Sequence, residues 1–515
     1  MRLLNRRELL QAAAALAATP VGAAARAADG TRPSVIDGAI VGDVTSTSAV
    51  LWSRTDRPAR LRVEWVGERS GEPVRVAGPL ATSRRDFTAQ VVLEGLPPGA
   101  TITAALRFED DATGASSDPV LTTFRTAPIA GGRARDVRLV WSADLGGQGW
   151  GIDPARGGYR IFQTIAARDP DLFLMAGDRI YADDTLAPER ALPDGTTWKN
   201  LTIPATSHVA ETLQDLRDRY RYHQADDAWR DFGARTGMIA TWDDHEVVDN
   251  WAPNTWLHDD RYALHDVNTL ISRARQAWGE YTPMRPFDLD WARIYRHIPY
   301  GPLLDVFVLD TRSYRFENGD NHQAYPRPEA AWMGRAQLGW LKRAMRRSTG
   351  RWKVVLMPQP LSMLIWHDWK KKEGYDGVAN GPGAPLGREH EVEELLRFLH
   401  DERMNNVVFL SADVHFTAAV HFHPDRANFQ GFTPFWEFVT GPLHAGCFGP
   451  CELDPTFGPE LRFQRTAPEG QPGIGPASPY QFFGEVTISE ATGALTVRLI
   501  DSDGGLLHTE TLLSA

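Results

Sequence analysis

The sequence predicts a mixed α/β (α+β) chain, with an N-terminal β-sandwich followed by a larger core in which strands and helices alternate. Three observations carry this. Residues 34 to about 128 alternate apolar and polar positions in short runs separated by turn formers. From "VRLVWSADL" onward, short apolar runs are interleaved with stretches of helical periodicity. Several of those apolar runs end in the same way, on an aspartate.

The chain has 515 residues, 42% hydrophobic and 23% charged, enough for two or more cores. It opens "MRLLNRRELLQAAAALAATPVGAAARA". Arg6 and Arg7 precede a mildly apolar, Ala-rich run, and Ala25-Arg26-Ala27 offers a small-x-small cleavage site. The paired arginines resemble a twin-arginine signal, whose cargo folds before export. This predicts the twin-arginine machinery as a partner and a periplasmic or secreted location. An ordinary secretory signal or a short anchor is the plainer reading of the same stretch. No later run is apolar enough to span a bilayer, so no membrane anchor is expected after cleavage. Losing residues 1–27 removes four arginines and one glutamate and takes the formal charge from −11 to −14. That acidity argues against a stable nucleic-acid complex, and metal ions would have to supply positive charge for a phosphate ester.

Within 34–128, "TSTSAVLWSRT", "ARLRVEWVGE", "TAQVVLEGL" and "TITAALRFED" read as strands, with turns at Asp56, Gly71, Pro97-Pro98-Gly99 and Gly114. "APIAGGRARD" (127–136) reads as a linker to a second unit, 136–515. There, "GYRIFQTIAARD", "AQLGWLKRAMRRS" and "HEVEELLRFLHDERM" have helical spacing. "DLFLMAG", "TGMIATWDD", "LLDVFVLDT", "KVVLMPQP" and "NNVVFLSAD" read as buried strands. The insert 185–235 is expected to be helical and to cover a sheet edge, and the C-terminus to form a β-hairpin or meander. Cys447 and Cys451 are the only cysteines, and a small disulfide staple is favoured over a C-x3-C metal pair.

Four strand ends carry the chemistry. "VWSAD" ends in Asp144, "LFLMAGD" in Asp178 with Tyr181 one turn on, "MIATWDDHE" in Asp243–Glu246, and "VVFLSADVH" in Asp413 and His415. Sites in open α/β sheets form at the C-terminal ends of strands. Taken singly, such an aspartate is a turn residue or helix cap, Tyr181 a half-buried aromatic and His415 a satisfied histidine. Together they crowd carboxylates that only cations could make tolerable. Two metal ions fit: a carboxylate bridges them, oxygen donors suit hard metals, and a phenolate favours ferric iron. Such a pair generates hydroxide near neutral pH and clamps a phosphoryl group for in-line attack, while a free histidine protonates the leaving oxygen. Asp183 and Asp184 are expected to face solvent, and His421 and His423 to be structural.

Asp144, "GDRIY", "DDHE", "MPQP" and "ADVH" follow the order of motifs in the metallophosphoesterase superfamily. "TWDDHEV", "VLDTRSYR", "LSADVH", "LQDLRDRYRYHQAD" and the β-domain's "SAVLWSR" resemble its PhoD-like alkaline phosphatases, relatives of the purple acid phosphatases. The resemblance covers nearly the whole mature chain. It implies an αββα core of two facing sheets flanked by helices, and hydrolysis of phosphate monoesters or diesters without a covalent intermediate. Residue by residue it implies Asp178 as the bridge, Asp144, Tyr181 and His415 on Fe3+, and Asp244 and Asp413 on a second ion, Ca2+ in this family. It implies His245 as proton donor, Arg179 as a phosphate contact or else a local ion pair with Asp183 or Asp184, Asn250 as a substrate contact, and Gln359 as a loosely aligned further ligand. Asp310 and Arg312 are expected to form a structural ion pair. Relatives often place a cysteine at the end of the first core strand, where this chain has "WSAD"; that departure leaves the metal identity open. A phosphodiesterase or phospholipase D-like activity, or a calcium-stabilised binding protein, are the alternative readings.

Overall fold

The computed structural model describes residues 32–68, 72–286 and 293–515. The leader, 1–27, and the turn at Gly71 lie outside them. Among the described residues no helix is long and apolar enough to cross a membrane.

Two large sheets organise the chain. The first has nine strands, in spatial order Leu506–Leu512, Leu495–Asp501, Phe482–Ile488, Val137–Ser142, Leu172–Ala176, Gly237–Thr241, Val35–Gly42, Ser48–Thr55 and Thr88–Glu94. Its centre, from Val137–Ser142 to Gly237–Thr241, is parallel. The C-terminal three strands form the expected meander on one side. The second sheet has seven strands, Arg296–Tyr300, Leu304–Val308, Trp352–Leu356, Val407–Ser411, Phe435–Val439, Thr417–Phe422 and Pro459–Arg465, again parallel at its centre.

Strand alternation explains how the sheets stack. In Leu172–Ala176 every residue is buried. Leu172 and Leu174 join a core cluster that also holds Val306, Val354 and Leu410 of the other sheet, whereas Phe173 and Met175 join a second cluster with helical residues. A strand covered on both faces must be apolar at every position, which is why "LFLMA" shows no polar alternation. The second cluster packs Phe162, Trp229, Phe232 and Trp278 from helices Ile161–Ala166, Asp227–Gly233 and Val267–Tyr281 onto the first sheet. A third packs helices Arg335–Arg346 and Glu389–Asp401 onto the second sheet, through Leu338, Leu341, Leu395 and Phe398 against Phe307, Val355 and Phe409. The result is a helix–sheet–sheet–helix sandwich.

The N-terminal strands are not isolated from this core. A four-stranded sheet, Val74–Ala81, Ala59–Gly67, Thr101–Glu109 and Val120–Arg125, packs on Val35–Gly42, Ser48–Thr55 and Thr88–Glu94. Those last three strands extend the nine-stranded sheet, joined by a parallel pairing of Gly42 with Met238. Leu51, Leu61 and Phe108 accordingly share one buried cluster with Leu139 and Val306. The insert 185–235 is α-helical only in its second half, Leu213–His223 and Asp227–Gly233; its first half holds a short hairpin, Glu189–Ala191 with Thr197–Lys199, and one 3-10 turn, Pro204–Ser207. Thr212 and Asp226 cap the two helices through their side chains.

Candidate metal centre and active site

Three parallel strands of the first sheet and one of the second end on the acidic residues singled out above. Asp144, Asp178, Asp413 and His415 all adopt left-handed backbone, with φ of 64°, 50°, 67° and 55°. For residues other than glycine this conformation costs about 1 kcal/mol or more each. The surroundings enforce it. Leu145 N–H donates to Asp178 O (2.8 Å) and His444 N–H to Asp144 O (3.0 Å), tying neighbouring strand ends together. Glu246, fully buried, accepts from the amides of Asp178 (3.1 Å), Arg179 (2.7 Å) and Asp243 (2.7 Å), so one carboxylate clamps two loops. Trp141 Nε1 donates to Ser411 O (3.2 Å), linking the two sheets just beneath the site.

Two groups of donor atoms result. In the first, Tyr181 Oη lies 2.9 Å from His415 Nε2 and 3.4 Å from Asp144 Oδ1, and His415 Nε2 lies 3.3 Å from that same oxygen. His415 Nδ1 donates to Gly446 O (2.6 Å), which leaves Nε2 with its lone pair facing Tyr181 and Asp144. In the second, single oxygens of Asp178, Asp243, Asp244 and Asp413 all lie within 4.8 Å of one another, as do donor atoms of Asp178, Asp244 and His245.

These residues fit a metal centre. The second oxygens of Asp144 and Asp243 are buried with no hydrogen-bond partner. A Cβ on Gly441 would come within 2.3 Å of that Asp144 oxygen, and one on Gly147 within 2.4 Å of the Tyr181 ring, so glycine alone leaves room for both groups. Burial, and then the charge of Asp244, push Asp178 well above the usual carboxylate range. Asp413 is pushed up likewise by burial and by Asp243 and Asp244. Burial and the Asp144 charge raise Tyr181 well above an ordinary phenol. A like-charged pair near 4 Å costs on the order of 4 kcal/mol at an effective dielectric of 20. Among the described residues one guanidinium reaches this group: Arg312 Nε is 2.5 Å from Asp243 Oδ1, and its Nη2 is 3.5 Å from Asp244 and 3.9 Å from Asp413. A single guanidinium, itself shared with Asp376 (2.7 Å), does not neutralise four carboxylates. The donor set, oxygen and imidazole with no thiolate, suits hard or borderline cations.

His245 stacks on Tyr181, ring centroids 4.2 Å apart, and its Nδ1 sits 2.8 Å from Asp183 Oδ1. Burial opposes the imidazolium, but Asp183, Asp244 and Asp178 outweigh it and hold His245 well above its ordinary range. Nε2 is left to face the cavity, with only a distant approach to Asp249 (3.9 Å).

Several expectations are corrected. Asp183 does not face solvent: it is buried, and although burial would raise it, His245 holds it below the usual range. Asp184 is half-buried and accepts from Gly149 N–H (2.7 Å). Among the described residues Arg179 forms no ion pair with Asp183 or Asp184, and it is not part of the cavity lining. Its guanidinium is buried over the Tyr220 ring (4.6 Å) and donates to Thr282 Oγ1 (3.2 Å) and Tyr281 O (3.0 Å), because it follows Asp178 on the opposite side of the loop. Arg312 pairs with Asp243 and Asp376 rather than Asp310, which accepts from Trp242 Nε1 (3.0 Å). Gln359 accepts from Arg315 Nη2 (2.8 Å) and donates to Asp376, so its amide is used in a buried network. Cys447 and Cys451 are free thiols. Cys447 points into the third hydrophobic cluster and its backbone pairs with Ile474, whereas Cys451 lines the cavity. Asn250 does line the cavity; its amide N–H donates to Asp244 Oδ2 (2.7 Å) and its side chain to His367 O (3.1 Å). The roles of Asp183, Glu246 and Arg312 were not foreseen. For Asp183 the available signal was a carboxylate two residues past a candidate ligand, able to orient a histidine.

Comparison with known proteins agrees with this picture. The model of the PhoD-like phosphatase family matches residues 139–499, and that of the PhoD-like phosphatase N-terminal domain matches 21–128. Alkaline phosphatase D of Bacillus subtilis (strain 168) is 27% identical over 433 residues, 79% of this chain and 69% of that protein. The solved structure of PhoD superposes with a TM-score of 0.65 at 21% identity, covering 92% of this chain and 88% of the other. The purple acid phosphatase PPD1 of yellow lupin (Lupinus luteus) seeds gives 0.57 at 12% identity, covering 93% and 74%. With all four acidic strand ends inside the matched span 139–499, the chain belongs to the PhoD-like phosphatase family and is a phosphoric ester hydrolase.

Proposed function

We propose that the protein is an exported, metal-dependent phosphatase acting on phosphate monoesters, diesters or both, built of a β-sandwich unit (34–128) and a catalytic unit (136–515). Asp144, Tyr181 and His415 would hold Fe3+, Asp244 and Asp413 would hold Ca2+, and Asp178 would be shared. The observation that carries this reading is the convergence of buried donor atoms, two of them unpartnered oxygens, from strand ends of both sheets. Bound ions supply Lewis acidity and a nucleophile drawn from water. The chain's own contribution is distinct. His245, oriented through Nδ1 by Asp183, presents a proton at Nε2 to the leaving alcohol oxygen. Asn250 stands at the cavity wall as a substrate contact. Asp144, in place of the thiolate common in relatives, would make the ferric ligands all oxygen and imidazole.

The test compares p-nitrophenyl phosphate with bis-p-nitrophenyl phosphate, with and without chelator, on the full exported chain. Chelator-sensitive turnover of either is expected, and preference for the bis compound would mark a diesterase. Turnover indifferent to chelation would overturn the metal dependence. A visible absorption band lost in Tyr181→Phe is the expected sign of ferric phenolate ligation; protein isolated without iron would remove that assignment.

A further inference from the structure

The cavity over the acidic cluster, about 500 Å³, is lined by Asp178, Asp244 and Asp413 from the cluster and by the exposed Asp249, and it also has an apolar part. Its upper walls are Ile365 and Trp369 on one side and Phe448 and Pro450 on the other. Trp369 is 51% exposed and lines this cavity, so its indole face is available to a ligand there. It sits at the tip of a two-stranded hairpin, Trp366–Asp368 with Glu373–Tyr375. That hairpin is braced. Trp366 stacks on Tyr375 (4.6 Å between centroids), Asp368 Oδ1 accepts from the amides of Lys370 and Lys371 (3.0 Å each), and Asn250 donates to His367 O. The segment carrying Phe448 is held as well: Phe448 packs on the His415 ring (4.8 Å), and the Met363–Leu453 bridge with Leu364 N–H donating to Glu452 O (2.9 Å) ties the chain before the hairpin to the chain after Cys451.

From this placement, and resting on the phosphatase reading above, we propose that Trp369 and Phe448 form a recognition site for the alcohol portion of the ester, and that the preferred substrates carry an aromatic group on that side. A phosphoryl group over Asp178 and Asp244 leaves its ester oxygen near His245, and the substituent beyond it meets apolar rings. The indole is the adaptable part, because it projects from a hairpin outside the core. It contributes to specificity through stacking and desolvation, an effect of roughly tenfold per aromatic contact.

The test uses benzyl phosphate and methyl phosphate, whose leaving alcohols are alike in acidity, on the full chain with its metals in place. In the wild type kcat/KM should favour the benzyl ester, and Trp369→Ala should lower the benzyl-to-methyl ratio roughly tenfold, with Trp369→Phe recovering most of it. A ratio unchanged by Trp369→Ala would overturn the proposal. If the wild type turns over neither of these esters nor bis-p-nitrophenyl phosphate, the phosphatase reading fails. Binding of benzylphosphonate against methylphosphonate then decides this one: about tenfold tighter binding of the benzyl compound, lost in Trp369→Ala, supports the site, and equal binding contradicts it.

Discussion

At the residue scale the site is a contest between burial and charge. Asp178 and Asp413 are driven up by desolvation and by each other's neighbours, while Asp183 is held down because His245 faces it. The difference fits the proposed division of roles: carboxylates that stay under-neutralised, such as Asp178 and Asp413, suit a metal ion, and Asp183, faced by His245, suits orienting a proton donor. Asp178→Asn is therefore expected to lose activity by several orders of magnitude, measured as kcat with p-nitrophenyl phosphate; near-wild-type turnover would exclude it as the shared ligand. Asp183→Asn keeps a hydrogen-bonding side chain but loses the charge that sustains the His245 proton. Its kcat should fall by about 10²-fold or more with methyl phosphate and much less with p-nitrophenyl phosphate, whose leaving group needs no proton. Equal losses on the two substrates would assign Asp183 a structural role only.

At the element scale, the strand ends were legible because each apolar run stops abruptly at an acid, as in "LFLMAGD" and "VVFLSADVH". What lies past the strand was not. Arg179 and Asp183 are one and five residues beyond Asp178, and nothing in their identity says that the loop turns the first toward Tyr220 and the second toward His245. The cysteines misled for a related reason: spacing allows a staple, but the backbone pairing at Cys447 turns its side chain into the core. Helix Glu389–Asp401 provides a test at this scale. Burial, and then the Asp454 charge, push Glu389 to about 9, so it is folded in its neutral form. The unfolded carboxyl titrates near 4.5. Its contribution is complete below that value and is lost as pH rises through about 9. Glu389→Gln should flatten the decline in unfolding free energy between pH 5 and 9, read by urea denaturation; a slope equal to the wild type's would contradict the neutral carboxyl.

At the scale of the whole molecule, the N-terminal strands extend the catalytic sheet instead of standing apart. Sequence composition could not show this, since a strand pairing edge-to-edge with its own sandwich or with a distant sheet presents the same alternation. One consequence is cooperative: Leu174→Ala, in the cluster between the sheets, should cost about 2–5 kcal/mol and lower the unfolding of both regions together. Two separated transitions would show that the sandwich unfolds independently. The acidic strand ends take left-handed backbone where loop hydrogen bonds and the Glu246 carboxylate tie neighbouring strand ends together.

The most direct measurement is anomalous X-ray scattering from crystals of the full chain purified with its native metals. Two ions are expected, one among Asp144, Tyr181 and His415, the other beside Asp244 and Asp413, with Asp178 reaching both. Density showing neither ion at these side chains in metal-replete, active protein would contradict it.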